Sequence, residues 1–299
     1  MSQLSEPHSR FIEVAGSRLH YVSRGDPAAP VMLLVHGMRD HARSWDWVAS
    51  AFEDRFHVIA PDLRGHGDSF WAEPNAYALS AFVLDLADLI EALDLKRITL
   101  IGHSLGGAIA LRYAGAFPDR VQSLVAIEAI ELPIIRDERA TPMPSPTRLG
   151  NWVRAERARR GRSARNYASL ADAERRMAEG QPDIDAATIA HLVGHSVIQG
   201  ADGTWRWKYD NAARLRAPDD ADGRDLDETL KAISCPTLLA YGDASWIPLP
   251  PLARLALIRD HKVVIFPGAS HWLHHQSRTA FIAAMGTFLA YTTKGPDHA

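Results

Sequence analysis

Cysteine is nearly absent: Cys235 stands alone among 299 residues, which excludes an internal disulfide and any multi-cysteine metal site. It sits in the apolar run Cys235-Pro236-Thr237-Leu238-Leu239-Ala240 and reads as a buried, inert thiol. Long hydrophobic runs are also missing. No stretch approaches the roughly 20 apolar residues that cross a bilayer, and the opening residues MSQLSEPHSR lack the apolar core of a signal peptide, so a cytoplasmic protein without a membrane partner is expected. There is no surplus of positive charge: 33 Lys and Arg against 36 Asp and Glu give a net charge of −3, and no nucleic-acid partner is expected. No phosphate-binding loop, dinucleotide fingerprint or zinc spacing occurs, so no cofactor or metal is expected; the His274-His275 pair has no companions at ligand spacing. No internal repeat is visible, and a homodimer is compatible with the sequence without being indicated by it.

What is present suits a soluble globular protein, with 46% apolar and 23% charged residues, on a chain long enough to bury a substantial core. Short β-like runs alternate with helical ones. Phe11–Val14 and Leu19–Val22 read as a hairpin turning at Gly16-Ser17. Val31–Val35 and Val58–Ala60 are continuous apolar runs, as in strands covered on both faces. The segment 79–93 carries Leu79, Phe82, Val83, Leu86, Leu89 and Ile90 at helical spacing. Strands at Ile98–Ile101, Val121–Ile127, Thr237–Tyr241 and Val263–Phe266 follow, with helices at Ala108–Phe117, Leu252–Ile258 and Arg278–Tyr291. Such alternation predicts an α/β fold with a mostly parallel sheet flanked by helices.

The stretch 132–233 differs. It opens with prolines 133, 142, 144 and 146 and continues with arginines 154, 157, 159, 160, 162 and 165. Helical pieces near Leu170–Ala178 and Ile184–Val193 follow, then an Asp202-Gly203 turn before alternating Trp205, Trp207 and Tyr209. It is expected to be a mainly helical cap, leaving 1–131 and 234–299 as the core domain.

Gly102-His103-Ser104-Leu105-Gly106 matches G-x-S-x-G between a predicted strand and a predicted helix, the context that gives the motif meaning. A serine on such a strained turn is lifted from the sheet, and the helix N-terminus favours negative charge beside it. With His36-Gly37 after the third strand and Asp62-Leu63-Arg64-Gly65-His66-Gly67-Asp68-Ser69 after the fourth, the chain resembles the α/β-hydrolase superfamily over nearly its full length. The resemblance implies an eight-stranded sheet, Ser104 as nucleophile, and backbone N–H groups of Met38 and Leu105 as the oxyanion hole. It also implies that the base is His271, on the loop Pro267-Gly268-Ala269-Ser270-His271-Trp272, in the chain order of that fold. His274 and His275 read as a polar first turn of the last helix, His103 as a local hydrogen-bonding partner, and His36 as structural.

The acid departs from the usual pattern. Gly242-Asp243-Ala244-Ser245 has a serine where the superfamily commonly carries an aspartate three residues after the glycine. Asp243 is near, two residues early. Glu128, ending Leu124-Val125-Ala126-Ile127-Glu128, lies at the C-terminal end of a strand, where sites of open α/β sheets lie. That arrangement resembles haloalkane dehalogenases with a glutamate here, and zearalenone-type lactonases that combine it with a serine. Glu128 is therefore preferred as the acid, with Asp243 as the alternative and Glu131 behind both; Ser245 is suited to donate into the same network.

Trp246 and Trp272, beside the catalytic loops, are expected to line the substrate pocket. Trp152, Trp205 and Trp207 read first as cap core. Arg39 is a pocket candidate whose competing reading is a surface ion pair with Asp40, and the arginine-rich helix reads as a solvated face. The expected activity is hydrolysis of a small-molecule carboxylic ester or lactone through an acyl-enzyme. Amide or carbon–carbon hydrolysis, or a ligand-binding receptor on the same fold, remain the alternatives.

Overall fold

A computed structural model describes residues 6–73, 76–133, 136–137, 141–160, 165–214 and 223–293. Eight strands form one sheet: β1 (His8–Val14), β2 (Ser17–Arg24), β3 (Val31–Val35), β4 (His57–Pro61), β5 (Ile98–His103), β6 (Val121–Ile127), β9 (Thr237–Gly242) and β10 (His261–Phe266). Their order is β1-β2-β4-β3-β5-β6-β9-β10. Only β2 runs against the rest, pairing antiparallel with β1 and β4, while every other pairing is parallel. The opening hairpin turns one residue earlier than its sequence suggested: Val14 pairs with Ser17, and Ala15 and Gly16 have φ of 47° and 75°, as a two-residue hairpin turn requires.

The continuous apolar runs are buried because both faces of the sheet are covered. On one face, Leu33, Leu100 and Leu124 pack with Phe82, Leu86 and Leu89 of helix Leu79–Ala92 and with Ile109 of helix Leu105–Ala116. On the other, Met32, Ile101 and Val125 pack with Phe52 of helix Asp46–Phe52 and with Phe281 and Met285 of helix Arg278–Thr293. β5 sits centrally, in register with β3 through Val35 and Gly102 and with β6 through His103 and Ile127. Cys235 is buried and its thiol pushed up to about 11 by burial, as expected of an inert core cysteine.

The intervening stretch carries helices Ser145–Arg160, Leu170–Gly180 and Ala186–Ser196 and the two-stranded ribbon of β7 (Val197–Gln199) and β8 (Trp205–Trp207). The ribbon turns at Gly203, with φ of 80° and its N–H on Gly200 O. A separate small core holds this part together through Tyr167, Ile189 and Val193. Helix Gly223–Ala232 was expected within the cap, but its Leu226 and Leu230 join the main core. Thr229 packs so tightly on the helix after β5 that a Cβ at Gly115 would lie 2.7 Å from its side chain. The helical layer of the core therefore begins before residue 233. Among the described residues, no helix is long and apolar enough to cross a membrane.

Candidate active site

β5 ends at His103 and a helix begins at Leu105, leaving Ser104 on the turn with φ 52° and ψ −112°. Such a backbone costs of order 1–3 kcal/mol and persists only where its surroundings fix it. Its N–H donates to Ile127 O at 2.8 Å. The turn is tight enough that a Cβ at Gly102 would lie 2.3 Å from Gly106 O, and one at Gly106 2.2 Å from Val35 O. Glycine at both positions is thus a steric requirement. Ser104 opens onto a cavity of about 440 Å³ that His271, Met38 and Arg39 also line.

His271 follows β10 on a loop that turns at Gly268. Its carbonyl accepts from His103 Nε2 at 2.9 Å, so His103 is the local partner the sequence suggested. His271 Nδ1 lies 2.6 Å from Glu128 Oε2. Glu128, fully buried at 0% exposure with φ of 49°, accepts two further hydrogen bonds. Ser245 Oγ donates to Oε2 at 2.5 Å and the Gly242 N–H to Oε1 at 2.8 Å. The Ile247 N–H donates to Ser245 Oγ at 3.1 Å, which occupies that oxygen as an acceptor and leaves its proton for Glu128. Burial pushes the Glu128 carboxyl upward against the downward pull of Ser245 and Gly242. Burial pushes His271 down, towards neutral imidazole. In that form Nδ1–H donates to the carboxylate and Nε2 remains an acceptor.

The other carboxylates are engaged elsewhere. Asp243, the alternative acid, is exposed and accepts from the Gly268 N–H at 2.6 Å; it shares no hydrogen bond with His271 among the described residues. Glu131 is buried in an ion pair with Arg254 at 2.7 Å. The geometry brings together Ser104, His271, Glu128 and Ser245.

The loop after β3 lies against the serine turn, since a Cβ at Gly37 would meet His103 Nδ1 at 2.7 Å. His36 is structural. The Leu63 N–H donates to its Nε2 at 3.0 Å, and its Nδ1 donates to Gly37 O at 2.7 Å. Burial lowers its pKa to about 4. Asp62 binds this region together, meeting His20 Nδ1 at 2.6 Å and the N–H groups of Ala42 and Asp68 at 2.7 and 2.9 Å. Met38 lies on the cavity wall, and Leu105 begins the helix after Ser104, buried at its N-terminus.

Trp246 and Trp272 line the cavity as expected, with rings 4.6 and 5.2 Å from that of His271. Trp207 joins them while also packing on the small core with Trp205, and Trp152 is not among the residues that line the cavity. Tyr209, from the alternating aromatic run, also lines it, as do Tyr167, Met177 and Leu192, which nothing in the sequence distinguished. None of the described side chains of the arginine-rich helix lines it. Arg159 pairs with Glu156 at 2.8 Å and Arg154 donates to Asn151, while Arg160 and Arg162 lie outside the described side chains. The cavity arginines are instead Arg39, Arg176 and Arg214. Arg39 makes no ion pair with Asp40 among the described residues.

His274 and His275, expected on a polar first turn of the last helix, are 1% and 5% exposed. The His274 ring packs 5.0 Å from Trp45 and 4.4 Å from His103. With Asp40 they form one of three groups whose potential metal-ligand atoms lie within 4.8 Å of one another. Both nitrogens of His274 and Nε2 of His275 are buried without a partner. The other two groups use Asp46, held by Arg43, and Asp62, held by His20.

The model of the alpha/beta hydrolase family matches residues 32–284. The chain belongs to that family. Over 285 residues, 94% of this chain and 95% of the other, it is 28% identical to 2-(acetamidomethylene)succinate hydrolase of Mesorhizobium japonicum. Over 96% of its length and 98% of the relative's, it is 26% identical to epoxide hydrolase A of Mycobacterium tuberculosis. A higher identity, 39%, to an uncharacterized protein of Mycobacterium tuberculosis extends over only 127 residues, and there the chain spans 36% of the relative's length. Among solved structures, the thioesterase domain from the curacin biosynthetic pathway superposes with a TM-score of 0.79 at 25% identity, covering 94% of this chain and 99% of that one. A hydrolase fold with a serine at its turn and relatives of several hydrolytic chemistries is the firm result.

Proposed function

We propose that this alpha/beta hydrolase cleaves a carboxylic ester or lactone through an acyl-enzyme on Ser104. The observation that carries the reading is a serine on a strained turn, opening on a cavity shared with a histidine whose far nitrogen is 2.6 Å from a buried glutamate. Ser104 Oγ attacks the acyl carbon while His271 Nε2 takes its proton. The resulting oxyanion is met by the N–H groups of Met38 and Leu105. The C–O bond to the leaving alcohol then breaks as His271 returns the proton to it. Water enters, loses a proton to His271, and releases the acid from Ser104. Glu128 fixes the Nδ1–H tautomer and stabilises the imidazolium in both halves. No cofactor takes part.

Two relatives bear on the scissile bond. An epoxide route needs a nucleophile whose adduct hydrolyses; a carboxylate forms an ester, whereas Ser104 would form an inert alkyl ether. The full-length similarity to 2-(acetamidomethylene)succinate hydrolase favours amide hydrolysis as the second reading, since the same oxyanion and proton relay serve it. Hydrolysis of short 4-nitrophenyl esters by the wild type, Ser104→Ala and Glu128→Gln tests the proposal. Turnover abolished in the first variant and severely reduced in the second is the expected result. A folded wild type inert towards esters but active on amides would replace it with the second reading.

A further inference from the structure

The cavity has an electrical asymmetry that ester hydrolysis does not require. Arg39, Arg176 and Arg214 come from three separate parts of the chain and all line it, against a single lining carboxylate among the described residues, Asp40. The three lining histidines add no charge where their pKa values are lowered by burial, as for His103, His271 and His275. Asp40 is a weak counter-charge, because burial raises its carboxyl to about 7 while its Oδ1 is occupied by the His41 N–H at 2.9 Å. Arg176 has its own partner, Glu179, at 3.1 Å on the exposed side. Arg39 and Arg214 make no ion pair among the described residues. Arg39 Nε is buried without a hydrogen-bond partner, and its guanidinium lies 5.7 Å from the centre of the Tyr209 ring. Arg214 and Arg176 are close enough to add to the burial that pushes the Arg39 pKa down.

The backbone points the same way. Asp40 N–H reaches back to Gly37 O at 3.4 Å, and Arg39, third in that turn, has φ of 62°. Glycine is favoured at such a position. An arginine there, partly desolvated among like charges, is an unfavourable arrangement by itself and a favourable one beside an anion. A carboxylate is the anion that matches a planar guanidinium fork while fitting beside an aromatic wall. Arg39 directly follows Met38, whose N–H faces the acyl oxygen in the proposed reaction, so the anion belongs on the acyl side of the scissile bond.

We infer that the substrate's acyl part carries a free carboxylate, held by Arg39 with Arg214 in support. This rests on the acyl-enzyme reading, and the test separates the two. 4-Nitrophenyl hydrogen adipate and 4-nitrophenyl hexanoate have acyl chains of equal length and differ only in the distal carboxylate. The wild type is expected to prefer the adipate ester by at least about tenfold in kcat/KM, with the preference shrinking as salt is raised. Arg39→Gln is expected to remove most of that preference through KM, Arg39→Lys to keep part of it, and Arg214→Gln to reduce it less. No preference in the wild type, or a preference that both Arg39→Gln and Arg214→Gln retain, overturns the inference. If Arg39→Gln fails to fold, Arg214→Gln and the salt dependence decide. If neither ester is turned over, the acyl-enzyme reading fails, and calorimetry of Ser104→Ala with adipic monoamide and hexanamide decides the anion site alone. Binding of the monoamide only, weakened by Arg39→Gln, supports the site; equal binding or none overturns it.

Discussion

Glu128 and Asp243 are each the first residue beyond a strand, β6 and β9, and those two strands are hydrogen-bonded neighbours. Their fates are opposite. Glu128 turns inward with φ of 49°, is fully buried, and receives His271, Ser245 and Gly242. Asp243 stays exposed and closes a loop through the Gly268 N–H. A buried carboxylate is tolerable only where donors converge on it, and here the β9 loop has become the donor side. Ser245 stands where the resemblance placed the usual acid, and it donates its proton to the Glu128 carboxylate beyond the neighbouring strand. In the proposed relay, burial and converging donors favour Glu128 over Asp243.

Substitutions test that contrast in descending order of effect. Ser104→Ala removes the group both carboxylates would serve, and steady-state assays should show a loss of about 10⁶-fold in kcat; residual turnover near wild type would remove the site altogether. Glu128→Gln should lower kcat by about 10⁴-fold through the wrong histidine tautomer, measured with circular dichroism to confirm folding. A loss confined to Asp243→Asn would reverse the comparison. Third, acid should strike the buried side. His103 and His274 are held well below their usual pKa and His275 is lowered to about 3, in each case chiefly by burial. Between those values and the ordinary 6.5, the unfolded chain binds protons that the folded chain refuses. Stability therefore falls as pH falls below about 6.5, by up to about 1.4 kcal/mol per pH unit for each histidine. Urea midpoints at pH 7.5 and 5.5 should differ clearly; equal midpoints would mean these rings are solvated. Fourth, Ser245→Ala removes one donor to a carboxylate and should cost about tenfold in kcat, near 1.4 kcal/mol. Last, Asp243→Asn keeps an oxygen for the Gly268 N–H and should stay within about twofold of wild type.

Much of this was legible in the sequence where the signal was local. The alternation of apolar runs predicted the strands, and G-x-S-x-G between a strand and a helix located the serine turn. The burial of Glu128 was readable because four apolar residues before it marked a buried strand end. The misjudged features depend on contacts far apart in the chain. His274 and His275 look like a polar turn, but Trp45 and Phe281 cover the His274 ring and Trp47 meets that of His275. The arginines of residues 154–165 read as a solvated face and Arg39 as a pocket candidate, but Arg176 and Arg214, isolated in sequence, went unnoticed and join the cavity only in the fold. Helix Gly223–Ala232 has a strong apolar stripe, but a stripe alone does not say which layer it faces.

Between Glu128 and His271 in the chain lies the exposed tip at Asp202-Gly203. A single nick there would divide the protein into two pieces, with Ser104 and Glu128 on one and Ser245 and His271 on the other. Within the main sheet the seam between them would be the parallel pairing of β6 with β9, from Leu124 opposite Thr237 to Ile127 opposite Ala240, and the β7–β8 ribbon would also join the two pieces. Neither piece would hold a working relay, so recovered turnover on mixing them would be a reporter of fragment complementation across the middle of the sheet.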